Sequence, residues 1–119
     1  MYSISECQKI LLPQGAIYIG RSNKNQSVGY VELNPHTSLT LHNRPAVEKL
    51  TQVKNKCVMV IFWEKPTLVT LNEKDSVTIK PKDTWHIHSN PFDKISLTYW
   101  DFDGDIRDII NNIRSTSKK

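Results

Sequence analysis

The pattern of apolar and polar positions is that of a β protein from about residue 15 to residue 102. Short segments in which apolar and polar residues alternate are separated by turn-forming residues. In the clearest of them, residues 47–53, Glu48, Leu50 and Gln52 share one face of a strand. Many short strands at even spacing, with frequent proline and asparagine turns, predict an all-β sandwich or barrel.

A second alternating segment precedes this one. From His36 to Arg44, Leu39 and Leu41 share one face, and His42 lies on the other with the polar residues. This alternation predicts one continuous strand with an apolar and a polar side. Lys54-Asn55 predicts a tight hairpin, because asparagine tolerates positive φ better than most residues.

The period changes near the C-terminus. Apolar residues follow each other at i, i+3, i+4 and i+7, as on one face of a helix: Ile106, Ile109, Ile110 and Ile113. Asp103 or Asp105 can cap the N-terminus. We therefore predict an amphipathic α-helix over about 104–114, packed on the barrel or on a second subunit, and a frayed tail over 115–119.

Composition limits the possible classes. The 119 residues are 38% hydrophobic and 24% charged, as in a single soluble domain spanning 1–119. A net charge of +4 without a basic, aromatic-rich patch predicts no nucleic-acid partner. We find neither an apolar run of about 20 residues nor a signal peptide, which predicts a cytoplasmic protein without a membrane partner. Cys7 and Cys57 form no disulfide framework, and Cys57 lies in an apolar run typical of a buried thiol.

Two local patterns contain the residue types of a metal site. His42 is followed by Arg44 and Glu48, and His86 follows Asp75, Pro81 and Asp83 and precedes Asn90. Two imidazoles and one carboxylate on separate strands are what an open site for a divalent metal requires. If the strands converge, His42, Glu48 and His86 are the predicted ligands.

In order and spacing, these patterns resemble the paired motifs of the cupin family. His42, Glu48 and Asn55 stand at the first histidine, the glutamate and the closing glycine of the first motif. Pro81, His86 and Asn90 match the second, with Asp75 and Asp83 where glycines are usual. The segment from Asp75 to Pro91 further resembles the mannose-6-phosphate-isomerase-like cupins.

The resemblance implies a fold and a chemistry. The fold would be the cupin double-stranded β-helix, a jelly-roll barrel, here with the C-terminal helix added. The implied cofactor is one divalent transition metal (Fe, Mn, Ni or Zn), and the implied substrate is a small anionic molecule. Both isomerisation of a sugar or sugar phosphate and dioxygenase-type cleavage of a small acid are compatible. The resemblance also implies a homodimer.

Arg44 departs from the family pattern, because it replaces the second histidine of the first motif. A guanidinium beside a divalent cation is repelled unless an anion lies between them. In one interpretation Glu48 ligates the metal and Arg44 binds the substrate anion. In the other, Glu48 pairs with Arg44 in a metal-free barrel that binds a small ligand.

Three further residues are candidates. His88 shares a strand face with His86, and it is either a fourth ligand or a histidine hydrogen-bonded beneath the site. Gln52 shares the face of Glu48 and is predicted to contact substrate. His36 is too far along its strand from His42 for both to bind one metal, so we expect it at the rim.

Overall fold

A computed structural model describes residues 1–42, 44–80 and 84–117. The elements follow in chain order, after a 3₁₀ turn at Ile4–Glu6: β1 Gln8–Leu12, β2 Gly15–Ser22, β3 Ser27–Leu33, β4 Thr37–Ser38, β5 Val47–Lys54, β6 Cys57–Phe62, β7 Pro66–Leu71, β8 Ser76–Ile79, β9 Trp85–Asn90, β10 Ser96–Asp103 and α1 Arg107–Ser117. They form an antiparallel six-stranded sheet ordered β1-β2-β3-β10-β5-β8 and a four-stranded sheet ordered β4-β9-β6-β7. The all-β prediction is confirmed, with a first strand that precedes residue 15.

The alternation predicted for residues 47–53 is present in β5. Glu48, Leu50 and Gln52 are buried, whereas Thr51 is half-buried and Lys49 is exposed. Met59 of β6, in the four-stranded sheet, belongs to the same apolar core as Leu50 of β5. The interior between the two sheets therefore receives both apolar and polar side chains from β5.

Strand β10 divides its aromatic residues between the two faces of the six-stranded sheet. Trp100 and Phe102 belong to the main core, whereas Tyr99 packs edge-on against Tyr30 in a separate cluster, their ring centroids 4.9 Å apart. Trp100 lies opposite Gly29 of β3, where a Cβ atom would be 2.4 Å from Cζ2 of the indole. The missing side chain of Gly29 thus makes room for the indole inside the fold.

The C-terminal helix packs on the same core. Ile106 and Ile110 are buried, and Ile109 and Ile113 are half-buried against the core cluster. Of the two predicted caps, Asp105 accepts a hydrogen bond from the backbone N–H of Arg107 at 3.1 Å. The helix extends over Arg107–Ser117, three residues later at each end than the predicted 104–114.

The hairpin prediction is also confirmed. Asn55 has a φ of 58°, and its side chain donates a hydrogen bond to the carbonyl oxygen of Ile95 at 2.8 Å.

Cys57 is a buried free thiol, as predicted, and Cys7 is free as well. Within the described residues, no helix has both the length and the apolar character required to cross a membrane.

Candidate metal centre

His42, Glu48 and His86 converge between the two sheets. Glu48 comes from β5 of the six-stranded sheet, and His86 from β9 of the four-stranded sheet. His42 precedes β5 and is joined to His86 by two backbone hydrogen bonds of 3.0 and 2.8 Å. The structure therefore brings together the three residues that the sequence predicted as ligands.

An irregularity in the strand before β5 directs His42 inward. Thr37 pairs with Asn90 and Ser38 with Ser89, but the next pair is His42 with His86. Four steps on one strand thus oppose three on the other, which is the pattern of a β-bulge. The predicted continuous strand from His36 to Arg44 is wrong here, because the extra residue reverses the alternation. Leu39 and His42, which were expected on opposite faces, line the same cavity.

The three side chains have the spacing of metal ligands. One potential ligand atom from each residue lies within 4.8 Å of those of the other two. Glu48 Oε1 and His86 Nε2 are 3.2 Å apart, and the imidazoles of His42 and His86 meet edge to face with centroids 4.2 Å apart. Metal–ligand bonds of about 2.0–2.2 Å place neighbouring donor atoms roughly 3–3.5 Å from each other, so the Glu48–His86 distance fits.

Backbone carbonyls fix the tautomer of both histidines. His42 Nδ1 lies 2.7 Å from the carbonyl oxygen of Thr40, and His86 Nδ1 lies 3.3 Å from that of Thr84. Because a carbonyl only accepts, Nδ1 of each ring must carry the proton and donate it. Each ring then presents the lone pair of Nε2, which is the form that binds metals.

The buried polar atoms at the centre lack partners among the described residues. Despite their 3.2 Å separation, Glu48 Oε1 and His86 Nε2 do not have hydrogen-bond geometry, and neither atom has another partner there. Both are acceptors when His86 is protonated only at Nδ1, so they repel each other. A cation between them removes this repulsion and satisfies both atoms, so these residues fit a divalent metal.

Electrostatics keep the neighbouring imidazoles neutral. Burial, together with the charge of Arg44 and the nearby His86, lowers the pKa of His42 to about 3. Burial likewise lowers the pKa of His88 to about 4, assisted by His86. His42 is therefore an uncharged potential ligand at neutral pH, as metal coordination requires.

Arg44 lines the same cavity without closing an ion pair with Glu48. The pKa of the Arg44 guanidinium is lowered, because the effect of burial exceeds the opposing effect of the negative charge of Glu48. Within the described part of the chain, however, no Arg44–Glu48 contact is as short as 4.0 Å. The ion pair required by the metal-free interpretation is thus not formed, and the guanidinium can bind a ligand anion.

The cavity is small and mostly apolar. The space open to the centres of water molecules is about 60 Å³, which corresponds to a few waters or a ligand of a few non-hydrogen atoms. Trp100 and the isoleucines of α1 line it, together with the three potential ligands. The sequence did not connect the C-terminal helix with the site.

His88 lies next to the site but belongs to a separate hydrogen-bond network. The Thr98 hydroxyl donates to Gln52 Oε1 at 2.6 Å, so His88 Nε2, 3.3 Å from that hydroxyl, must be the donor to it. Its Nε2 is therefore protonated and occupied. Within the described residues, the metal-site group does not include His88, which corresponds to the predicted alternative of a histidine hydrogen-bonded beneath the site.

Gln52 lies on the inner face of β5, in a hydrogen-bond network of its own. It faces inward as expected, but its amide is occupied by other protein groups: Nε2 donates to the Lys54 carbonyl and to Ser96 Oγ, and Oε1 accepts from Thr98. It does not belong to the described lining of the cavity. The inward positions of β5 extend beyond the site, so sharing a face with Glu48 does not bring Gln52 into the described lining of the cavity.

The network around Thr98 predicts a large stability effect. Thr98→Val keeps the shape of the side chain but leaves Gln52 Oε1 and His88 Nε2 buried without this partner. Since an unsatisfied buried polar group costs about 1–3 kcal/mol, we expect a loss of about 2–4 kcal/mol in the free energy of unfolding. Urea denaturation measures it, with Thr70→Val at an exposed position of β7 as control. A loss below about 0.5 kcal/mol would contradict the network.

The other motif residues have structural roles or lie elsewhere. Asn90 is fully buried, and its amide donates to three backbone carbonyls: those of Leu33, Asn34 and Lys94. His36 is exposed and contacts Asp93 at 2.6 Å, away from the centre, as expected for a rim residue. Asp75 accepts a turn hydrogen bond from the backbone of Asn72. Pro81 and Asp83 lie outside the described residues.

Comparison with solved structures identifies the fold. Drosophila melanogaster CENP-C bound to CAL1 superposes with a TM-score of 0.68 at 19% identity, over 84% of this chain and 82% of that one. The cupin domain of Drosophila melanogaster CENP-C superposes with a TM-score of 0.73 at 16% identity, over 84% of this chain and 75% of that one. The chain has the cupin fold.

Oxalate decarboxylases share this cupin fold. A single-substitution variant of the Bacillus subtilis enzyme has a TM-score of 0.76 at 16% identity, over 88% of this chain but 29% of its own. The Lactobacillus farciminis enzyme in its formate complex has a TM-score of 0.74 at 19% identity, over 86% of this chain and 32% of its own. This chain therefore spans less than a third of either enzyme. The Bacillus subtilis enzyme contains Mn(II) centres.

The sequence itself provides no further assignment, since no protein-family profile and no curated protein matches it. The cupin part of the predicted resemblance is supported by the structural neighbours. The mannose-6-phosphate-isomerase-like subfamily is not shown by any of them and stays a prediction.

Proposed function

We propose that this protein is a metal-binding cupin that acts on a small anionic molecule. His42, Glu48 and His86 would hold one divalent transition metal, and Arg44 would bind the anion. One observation carries the proposal. Glu48 Oε1 and His86 Nε2 are buried 3.2 Å apart, and neither atom has a hydrogen-bond partner in the described residues. Mn(II) centres in a structural neighbour with the same fold support it.

The metal would supply Lewis-acid activation of a substrate oxygen. The residues of this chain contribute orientation and charge. The carbonyls of Thr40 and Thr84 hold the two imidazoles in the ligand tautomer. Arg44 supplies a positive charge that positions an anionic group in the cavity and limits where a substrate can lie. The apolar lining beside it excludes water from the reacting group.

Metal content tests this proposal directly. Untagged protein purified without chelator is expected to contain close to one iron, manganese, nickel or zinc per chain, whereas His86→Ala should retain almost none. Elemental analysis gives the amounts. His36→Ala is the matched control, because His36 is exposed and contacts Asp93 instead of the centre.

The opposite result has a defined meaning. Equal metal content in His86→Ala and wild type, or no metal after anaerobic loading with each of the four ions, would overturn the metal-binding proposal. The metal-free ligand-binding interpretation, with Arg44 as the anion anchor, would then replace it. Homodimer formation, also predicted from the sequence, stays a prediction.

A further inference from the structure

Two features of the cavity indicate what kind of ligand it binds beside a metal: the indole of Trp100 and the apolar part of its lining. The first is the indole of Trp100, which is 4% exposed and lines the cavity. Its Nε1–H is buried and has no hydrogen-bond partner in the described part of the chain. A buried donor left unpaired costs about 1–3 kcal/mol, so an acceptor atom on a ligand would stabilise the protein at this position.

Trp100 lies close to the metal-site residues on the inner face of the six-stranded sheet. It pairs directly with Leu50, and the next inward residue of β10, Phe102, pairs with Glu48. Trp100 and Glu48 are therefore diagonal neighbours, whose Cα atoms are typically about 7–8 Å apart in such a pair. Trp100 and Glu48 therefore line the same cavity from adjacent strands of one sheet.

The second feature is that the other residues lining the cavity are mostly apolar. Apart from His42, Glu48, His86, Arg44, His88 and Trp100, every lining residue in the described ranges is aliphatic, a methionine or a phenylalanine. Four of them are the isoleucines at positions 106, 109, 110 and 113 at the C-terminal helix. Sugar hydroxyl groups placed against this apolar part of the lining would lose their hydration without gaining partners there, at a cost of about 1–3 kcal/mol for each.

We infer that the cavity binds a short aliphatic carboxylic acid, with Trp100 and the α1 isoleucines determining specificity. The carboxylate accepts hydrogen bonds from Arg44 and from the indole N–H of Trp100, and the hydrocarbon chain lies against the isoleucines. This inference deepens the proposed function by naming the substrate class, and it rests on that proposal for the role of the metal. It favours the small acid over the sugar phosphate.

A homologous series of acids tests the inference by binding. The probes are acetate, propanoate, butanoate and pentanoate, measured by isothermal titration on protein loaded with Mn(II), with mannose 6-phosphate for comparison. Each added methylene is expected to raise the affinity about fourfold until the cavity is full, and mannose 6-phosphate is expected not to bind.

Two variants separate the donor from the apolar wall. Trp100→Phe keeps an aromatic ring but removes the N–H, and it should weaken every acid about five- to thirtyfold without changing the gain per methylene or the metal content. Ile109→Thr, at a half-buried position, should weaken the longer acids more than acetate. Trp85→Phe is the matched control for the indole, because Trp85 lies in the first position of β9 and is exposed.

The outcomes distinguish this inference from the proposed function. Equal affinity of Trp100→Phe and wild type, affinity independent of chain length, or tighter binding of mannose 6-phosphate would each overturn the inference. If the protein binds no metal, the proposed function fails, and the same series on the metal-free protein still decides the inference. There, a loss of acid binding in Trp100→Phe and in Arg44→Gln supports it, and unchanged binding overturns it.

Discussion

Glu48→Gln is expected to stabilise the metal-free protein by about 1–2 kcal/mol while it lowers metal affinity more than 100-fold. Glu48 is 7% exposed, and its Oε1 faces the lone pair of His86 Nε2 at 3.2 Å without a hydrogen bond. A glutamine amide can donate to that nitrogen, which replaces a repulsive contact by a hydrogen bond and removes a buried charge. The affinity falls further than the 10–100-fold typical of lost outer-shell partners, because a neutral amide replaces an anionic ligand.

Two measurements on the same preparations check this prediction. Urea denaturation of chelator-treated protein gives the free energy of unfolding, and competition with a metal indicator gives the affinity. Glu64→Gln, an exposed position in the turn before β7, is the control and should change neither quantity. The opposite signs for stability and for binding are the signature of a site whose geometry is maintained for a ligand at the expense of the empty protein.

The metal-free interpretation makes the contrary prediction. If Glu48 served chiefly to neutralise Arg44, its replacement would leave a half-buried guanidinium without a counter-charge, and the protein would lose stability. Destabilisation by more than about 1 kcal/mol, with metal affinity unchanged, would therefore exclude Glu48 as a ligand. The experiment decides between the two roles that the sequence left open for this carboxylate.

The parts of the site that the sequence predicted depend on local periodicity and on motif spacing. The inward position of Glu48 follows from the alternation in β5, which is regular from Val47 to Val53. His86 lies on the inner face of β9 for the same reason, and Trp85 is exposed on the outer one. The resemblance to the cupin motifs then implied that these strands face each other, which alternation within one strand cannot specify.

The parts that the sequence missed depend on single insertions and on tertiary contacts. The extra residue between Ser38 and His42 leaves no signature in hydropathy, yet it reverses the face on which His42 lies. Gln52 and His88 share the inner faces of Glu48 and His86, but Thr98 of β10 occupies them both. Alternation shows which face of a strand a residue lies on, but only the packed fold shows which groups its side chain meets there.

Acid is expected to unfold the metal-free protein through its buried histidines. The pKa of His88 is lowered by burial from the usual 6.5 to about 4, and that of His42, through burial and Arg44, to about 3. Between pH 6.5 and 4 the unfolded chain binds a proton at position 88 that the folded protein does not. The free energy of unfolding therefore falls as the pH falls through this window, and this contribution does not vary above it.

The size of this effect is set by the fully buried imidazole. At about 1.4 kcal/mol per pKa unit, His88 alone corresponds to a loss of about 3 kcal/mol on going from pH 7 to pH 4, and His42 adds to it. Urea midpoints measured at intervals over this range give the slope. His88→Gln, whose amide can donate to Thr98 in place of Nε2, should reduce the slope markedly, whereas His36→Gln at the exposed rim should leave it unchanged. An identical slope in wild type and His88→Gln would mean that the acid sensitivity arises from groups other than His88.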